Sequence, residues 1–235
     1  MGIHLSVAVH GESKHGKTWF ASTAPKPILL IDSEAGGMRF VPGKKVRWNP
    51  AKEHPPEWNE DWDICRVVAL DYQTIQQTLA WLQTGKTPFR SVVLDSLTEF
   101  QGRYEKEIAP NLSEKVTYHH YRAMLRVLDD VVVRIRDISD LFGLDCAVFI
   151  CGSDSESGTF RPLLVGKLRK ILPYKVDIFG YIKMTLDEDG RKVPWLQITP
   201  TDQAAAGNRV AGLLPDFIPN PNLSEMIETI QKGME

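Results

Sequence analysis

The sequence predicts an α/β fold, with a mainly parallel sheet flanked by helices and an antiparallel hairpin at its C-terminal edge. Short apolar runs alternate with helical patterns, as they do in successive β-α-β units. These runs are Ile3–Val9, Ile28–Ile31, Ile64–Leu70, Ser91–Asp95 and Cys146–Cys151. From Tyr121 to Leu141, apolar residues recur at helical spacing, which predicts a long amphipathic helix. Two further strand patterns, Ile178–Leu186 and Val193–Thr199, flank an Asp-Gly turn and predict the hairpin.

Length and composition are those of a single globular domain. We expect one domain over residues 1–235, with an irregular excursion at about 41–63 and a mobile loop at about 152–160. The net charge of −2 argues against a globally basic nucleic-acid-binding protein, so any such surface must be local. The three cysteines lack C-x-x-C spacing, which argues against zinc. No apolar run reaches membrane-spanning length, and we expect a cytoplasmic protein with no membrane contact.

An eight-residue motif, GESKHGKT at Gly11–Thr18, follows the first strand and precedes a helical pattern. It fits G-x-x-x-x-G-K-[ST], the phosphate-binding loop, whose backbone N–H groups cradle phosphate oxygens. Lys17 would contact the β- and γ-phosphates, and Thr18 would give its hydroxyl to Mg²⁺. The motif therefore predicts ATP and Mg²⁺ as cofactors. The candidate nucleotide-contacting residues are Gly11, Glu12, Ser13, Lys14, His15, Gly16, Lys17, Thr18 and Trp19.

Two acidic residues end apolar strands and are candidates for catalysis. Glu34 follows Ile28–Ile31, and a carboxylate there would orient and deprotonate the attacking water. Asp95 ends SVVLD, the Walker B pattern, and would hold Mg²⁺ directly or through its water shell. The structural alternatives are a solvated acidic turn around Glu34 and, for Ser96, a helix cap shared with Glu99.

A polar, glycine-rich segment at 152–158 leads into the densest basic stretch of the chain. A flexible loop feeding such a stretch is suited to following a phosphate backbone, although a plain basic helix is an equal alternative. The candidate DNA-binding residues are Arg161, Lys167, Arg169 and Lys170. One of these cations would alternatively reach the γ-phosphate bound by a neighbouring subunit.

The irregular excursion at 41–63 contains Trp48, Trp58 and Trp62. We expect these tryptophans to anchor the excursion to the body of the domain. The alternative is that they stack on DNA bases or on the adenine.

Four stretches resemble the RecA-like branch of P-loop ATPases, and most closely the minimal RecA-like recombinases of bacteriophages, a family of single-strand-annealing ATPases also called phage nucleotide-binding proteins. These stretches are GESKHGKT, LLIDSE, VVLDS, and GTFRPLLVGKLRKILP with its trailing GNRVAGLLP. The resemblance covers most of the chain outside the tryptophan-rich excursion. It implies a RecA-like core without additional DNA-binding domains.

The resemblance further implies single-stranded DNA as a partner and a ring or filament of identical subunits with ATP at their interfaces. A single-strand-binding protein is a further candidate partner, and the location would be the host cytoplasm if the protein is phage-encoded. By position, Lys17, Thr18, Asp95 and Glu34 take the family's catalytic roles, whereas Lys167 and Arg209 are candidates to act across an interface. Where the family has a polar γ-phosphate sensor, often Gln or His, this chain has Cys151-Gly152-Ser153-Asp154, so Ser153 is the sensor candidate.

The resulting expectation is an ATP-dependent recombination or annealing protein that binds single-stranded DNA and hydrolyses ATP, with hydrolysis stimulated by DNA. One alternative is a nucleotide switch or adaptor in a phage replication assembly. A small-molecule kinase would need an acceptor pocket and an arginine-rich lid, neither of which the sequence shows. A helicase or packaging motor would need accessory domains for which the chain has no room.

Overall fold

The computed structural model describes residues 3–110, 117–187, 189–210 and 212–235. Within them, eleven strands form one mixed sheet with helices on both faces. The strands are β1 (Leu5–Gly11), β2 (Ile28–Asp32), β3 (Lys45–Arg47), β4 (Ile64–Val68), β5 (Ser91–Asp95), β6 (Cys146–Glu156), β7 (Thr159–Pro162), β8 (Ile178–Leu186), β9 (Lys192–Gln197), β10 (Gly207–Asn208) and β11 (Phe217–Pro219). The helices are α1 (Lys17–Ser22), α2 (Tyr72–Leu82), α3 (Leu97–Ile108), α4 (Tyr118–Leu141), α5 (Leu168–Lys175) and α6 (Leu223–Met234).

The strand order determines which residues meet at the functional edge. Along the sheet the order is β11-β9-β8-β1-β6-β5-β2-β4-β3, and all neighbours from β8 to β3 run parallel. The strands β9, β10 and β11 pair antiparallel at the C-terminal side. The register aligns Gly11 with Gly152 and Asp32 with Asp95. The carboxyl ends of the parallel strands therefore form one edge, where open α/β sheets bind ligands.

Two hydrophobic layers hold the helices to the sheet. Alternate residues of each strand point to opposite faces, so Leu29 and Ile31 join one layer whereas Ile28 and Leu30 join the other. The first layer packs under α2, α3, α4 and α5, and the second packs under α1 and α6. In the described ranges, no helix combines the length and apolar character needed to cross a membrane. These observations confirm the predicted α/β architecture and the C-terminal antiparallel hairpin of β8 and β9.

The segment at 152–160, predicted as a loop, forms a β-hairpin instead. β6 continues past Cys151 to Glu156 and pairs with β7, with Ser153 opposite Pro162 and Glu156 opposite Thr159. Ser157 and Gly158 make the turn with positive φ angles of 53° and 82°, as tight hairpin turns require. The sequence signal was missed because this part of the strand is polar on both faces and so lacks the alternation of a half-buried strand.

The excursion at 41–63 is anchored as expected by two of its tryptophans. Trp48 and Trp62 are buried, and both rings lie near Phe89, with centroids 6.0 and 6.2 Å away. Trp58 is 42% exposed, although its indole N–H donates to the Trp62 carbonyl at 3.1 Å. The short strand β3 also lies in this segment and extends the parallel sheet at its edge.

Candidate nucleotide-binding site

The loop between β1 and α1 has the backbone of a phosphate cradle. Gly11 cannot carry a side chain, because a Cβ there would collide with the carbonyl oxygen of Ile182. Lys14 and Gly16 have positive φ angles of 65° and 86°, which turn the chain sharply before the helix. Within the part of the chain that the structure describes, the N–H groups of residues 12–16 make no hydrogen bond. They are available to an anion.

Lys17 lies over this loop with its charge turned toward the loop's own carbonyls. Its Nζ donates to the carbonyl oxygens of Gly11 at 2.9 Å and Glu12 at 2.6 Å. Burial lowers the pKa of Lys17 below its usual value, against the opposing attraction of Asp95 and Glu34. Because this ammonium is partly desolvated and its present partners are neutral, its electrostatic attraction to a phosphate oxygen is stronger than that of a solvent-exposed ammonium.

Thr18 and Asp95 form the candidate metal site. The Thr18 hydroxyl donates to Asp95 Oδ2 at 2.8 Å, and the other carboxylate oxygen, Oδ1, is buried without a hydrogen-bond partner among the described residues. Burial, followed by the nearby charge of Glu34, raises the pKa of Asp95 to about 7. A buried carboxylate that lacks a partner and lies beside a hydroxyl and a second carboxylate fits the oxygen ligands that Mg²⁺ prefers.

Glu34 approaches the same point from the end of β2. Its carboxylate makes no hydrogen bond or ion pair with the residues described. Gly37 lies between the two acids: a Cβ built there would be 3.4 Å from both Glu34 Oε2 and Asp95 Oδ2, and 3.7 Å from Thr18 Oγ1. Glu34, Asp95 and Thr18 therefore surround one small space, and the absence of a side chain at Gly37 keeps that space open.

A buried network fixes the backbone that carries Glu34. Asp32 Oδ1 accepts from the N–H groups of Glu34 at 3.0 Å and Ala35 at 2.8 Å, while its Oδ2 accepts from Arg66 Nε at 2.6 Å. Arg103 Nε donates to the Ser33 carbonyl at 2.6 Å. These contacts hold the turn after β2, so that the exposed Glu34 has its carboxylate beside the space that Asp95 also borders.

Ser153, the predicted sensor, lines the same cavity of about 310 Å³ as Lys17, Thr18, Glu34 and Asp95. Its hydroxyl is 2.7 Å from Nδ1 of His10, whose Nε2 is 2.7 Å from the Ala205 carbonyl. Burial lowers the pKa of His10 to about 4, so the ring is neutral at pH 7. Since the carbonyl can only accept, Nε2 carries the proton and Nδ1 accepts the Ser153 hydroxyl proton. Sequence reasoning missed His10, which lies inside an apolar strand with no motif around it.

The remaining candidates are dispersed. Glu12, Ser13, Lys14 and His15 lie in the loop, and Trp19 follows in α1. Of the predicted basic residues, Arg161 and Arg169 both lie near Glu156, at 3.7 and 3.1 Å, whereas Lys167 and Lys170 are exposed at the start of α5.

Arg209 lies at the other edge of the sheet. It pairs with Asp177 at 3.2 Å and donates to the Tyr174 carbonyl, at the amino end of β8. The structure therefore does not bring Arg209 to the phosphate cavity of its own chain.

The fold and this constellation match the arrangement of a P-loop NTPase: a phosphate loop after the first strand, with its lysine, hydroxyl and strand-end carboxylates in one cavity. Comparison with protein-family models agrees, since residues 3–117 match a family described as an AAA domain. The matched segment runs from β1 past the end of α3, so it includes Lys17, Glu34 and Asp95. The AAA domain suggests ATPase activity in general. No curated protein matches the chain significantly.

Proposed function

We propose that this protein hydrolyses ATP with Mg²⁺ and couples hydrolysis to single-stranded DNA, as a recombination or annealing ATPase. The observation that carries the hydrolytic part is the meeting of Glu34, Asp95 and Thr18 around one space beside Lys17. A kinase would need a second substrate where Glu34 lies, whereas a free carboxylate at this point suits activation of water.

The proposed reaction is in-line attack of water on the γ-phosphorus. Glu34 accepts the proton of the water, the bond from the γ-phosphorus to the β,γ-bridging oxygen breaks, and ADP and phosphate leave. Lys17 exchanges its contacts with the Gly11 and Glu12 carbonyls for phosphate oxygens. Thr18 and Asp95 would hold Mg²⁺, which would supply charge neutralisation at the phosphates.

The hairpin of β6 and β7 is the candidate link to DNA. Its base lies at the phosphate cavity, because Ser153 and Leu163 line that cavity. The Thr98 hydroxyl links the two sides of the base: it accepts from the Gly152 N–H at 2.9 Å and donates to the Leu163 carbonyl at 3.1 Å. The basic start of α5 follows directly, with Lys167 and Lys170 exposed. Glu156 offsets part of the charge of Arg161 and Arg169, so the two lysines are the stronger candidates for phosphate contacts.

The decisive experiment measures ATP hydrolysis with and without single-stranded DNA, at low and moderate salt, in the wild type, Lys17→Ala, Glu34→Gln and Glu57→Gln. We expect DNA to stimulate the wild type and the stimulation to fade with salt, because phosphate contacts release counterions. Glu34→Gln should retain ATP binding and lose about 10²–10⁴-fold in turnover, the usual contribution of a positioned base.

Glu57→Gln is the matched control, since it removes an exposed carboxylate of the excursion that does not line the phosphate cavity. Hydrolysis that ignores DNA in every variant would favour a nucleotide switch or adaptor in a replication assembly. Normal turnover in Glu34→Gln would show that another group activates the water.

A further inference from the structure

A second cavity of about 390 Å³ adjoins the phosphate loop on the side of the C-terminal hairpin. Lys14 and Gly16 of the loop and Trp19 of α1 line it on one side. Met184 of β8 and Pro194 of β9 line it on the other. Its walls are thus largely apolar, and the cavity has no acidic lining residue.

This cavity borders the phosphate cavity at the loop. Lys14 lines both, and the hairpin packs on the loop so closely that a Cβ at Gly16 would lie 3.2 Å from Pro194 Cβ. The phosphate cavity is bounded by charged and hydroxyl side chains, such as Lys17, Glu34 and Asp95, which suit a triphosphate and not an aromatic base. A nucleotide anchored in the loop therefore has an apolar cavity next to its phosphates.

Trp19 is the lining residue whose exposure points most directly to a ligand in this cavity. It follows Thr18 directly, yet its large indole is 49% exposed, and its ring N–H makes no hydrogen bond with the described residues. Trp19 also lines a larger cavity of about 560 Å³, but no residue of Gly11–Thr18 lines that one. Of these two cavities beside Trp19, only the apolar one reaches the phosphate loop.

We propose that the apolar cavity binds the base and ribose of the nucleotide, with Trp19 as the stacking wall and the β8–β9 hairpin as the opposite wall. The inference rests on the proposed function only in requiring that the loop binds a nucleoside triphosphate. It gives the C-terminal hairpin, which lies outside the matched AAA segment, a direct role in nucleotide binding. Aromatic stacking on a base is tolerant of base identity, so this wall contributes affinity for any purine nucleotide.

The test compares ATP with inorganic tripolyphosphate, which has the phosphates and no nucleoside, by calorimetry in the presence of Mg²⁺. Trp19→Ala should weaken ATP binding by about fivefold or more, since base stacking is lost, and leave tripolyphosphate binding unchanged. Trp19→Phe keeps a flat ring and should recover most of the ATP affinity. Trp58→Ala, which truncates a tryptophan of similar exposure in the excursion, should change the affinity for neither ligand.

Three results would overturn the proposal: unchanged ATP affinity in Trp19→Ala, equal weakening of both ligands in that variant, or wild-type protein that binds tripolyphosphate as tightly as ATP. Equal weakening would mean that Trp19 supports the loop and not the base. Lys17→Ala separates phosphate binding from base binding, because it should weaken the binding of both ATP and tripolyphosphate. Wild-type protein that binds neither ligand would overturn the proposed ATPase function itself, along with this one.

Discussion

The two edges of the parallel sheet differ in how completely their charged side chains are paired. At the amino edge, before the strands begin, charged side chains find partners within the chain. The pairs are Lys26–Asp63 at 3.0 Å, Arg90–Asp145 at 2.6 Å and Arg209–Asp177 at 3.2 Å. At the carboxyl edge, Asp32 is paired with Arg66, but Asp95 Oδ1 is buried without a partner and the Glu34 carboxylate is unbonded among the described residues.

The difference indicates which edge of the sheet leaves polar groups unpaired and so able to bind a ligand. A buried polar group without a partner costs stability, so it persists where something else binds it. The amino edge contributes to the stability of the domain, and under the proposed function the carboxyl edge gives up some stability to hold a cation and phosphates. Both edges contain charged residues. The edges differ mainly in how completely those residues are paired.

Two histidines at opposite ends of β1 give the largest expected effect, and they reverse the pattern: both His10 ring nitrogens have partners, whereas His4 Nε2 is buried without one among the described residues. His10, at the carboxyl edge, has its pKa lowered to about 4 by burial. The unfolded chain protonates this residue below about pH 6.5, whereas the folded protein does not until about pH 4. The free energy of unfolding therefore falls as pH drops through that window, by about 3 kcal/mol from this residue.

We expect His10→Gln to flatten the acid limb of a urea-denaturation series between pH 7.5 and pH 4.5. His4→Gln is the matched control, since the His4 ring hydrogen-bonds the Leu144 carbonyl at 2.8 Å near the amino edge. An acid limb in His10→Gln as steep as in the wild type would mean that His10 is protonated in the folded protein.

Gly37 gives the next largest effect, and it tests the openness of the carboxyl edge. Gly37→Ala places a methyl 3.4 Å from an oxygen of each acid, and we expect about 10- to 100-fold more Mg²⁺ to be needed for half-maximal hydrolysis. Gly36→Ala is the control, because a Cβ there meets nothing within 4 Å. Equal magnesium dependence of the two variants would place the cation away from Gly37.

The sequence predicted the parts of this site that depend on local pattern. Lys17, Thr18 and Asp95 were predictable because a phosphate loop and a strand-end aspartate have a fixed spacing to their own strands. The sheet was predictable for a similar reason, because buried parallel strands are continuous apolar runs. Glu34 was predictable in position, and its proximity to Asp95 follows from the pairing of β2 with β5.

The missed features depend on contacts between distant segments. Gly37 matters only because Glu34, Asp95 and Thr18 converge on it, and His10 matters only because Ser153 and Ala205 reach its ring. Neither has a local signature. The position of Arg209 is also a tertiary property, set by the pairing of β10 with β8, which places it beside Asp177.

Arg209 provides the smallest expected effect and tests whether the amino edge is purely structural. Its side chain is mostly exposed, so Arg209→Ala should change the free energy of unfolding by about 1 kcal/mol or less and leave hydrolysis unchanged. Asp177→Ala should cost more, about 1–3 kcal/mol, because Asp177 also accepts from the N–H and hydroxyl of Ser6. Urea denaturation and steady-state hydrolysis at several protein concentrations measure both. A large loss of hydrolysis in Arg209→Ala at unchanged stability would contradict a purely structural role for the amino edge.

In that case the arginine would act at a neighbouring subunit's phosphates, and its ion pair with Asp177 would be the resting state of a catalytic group.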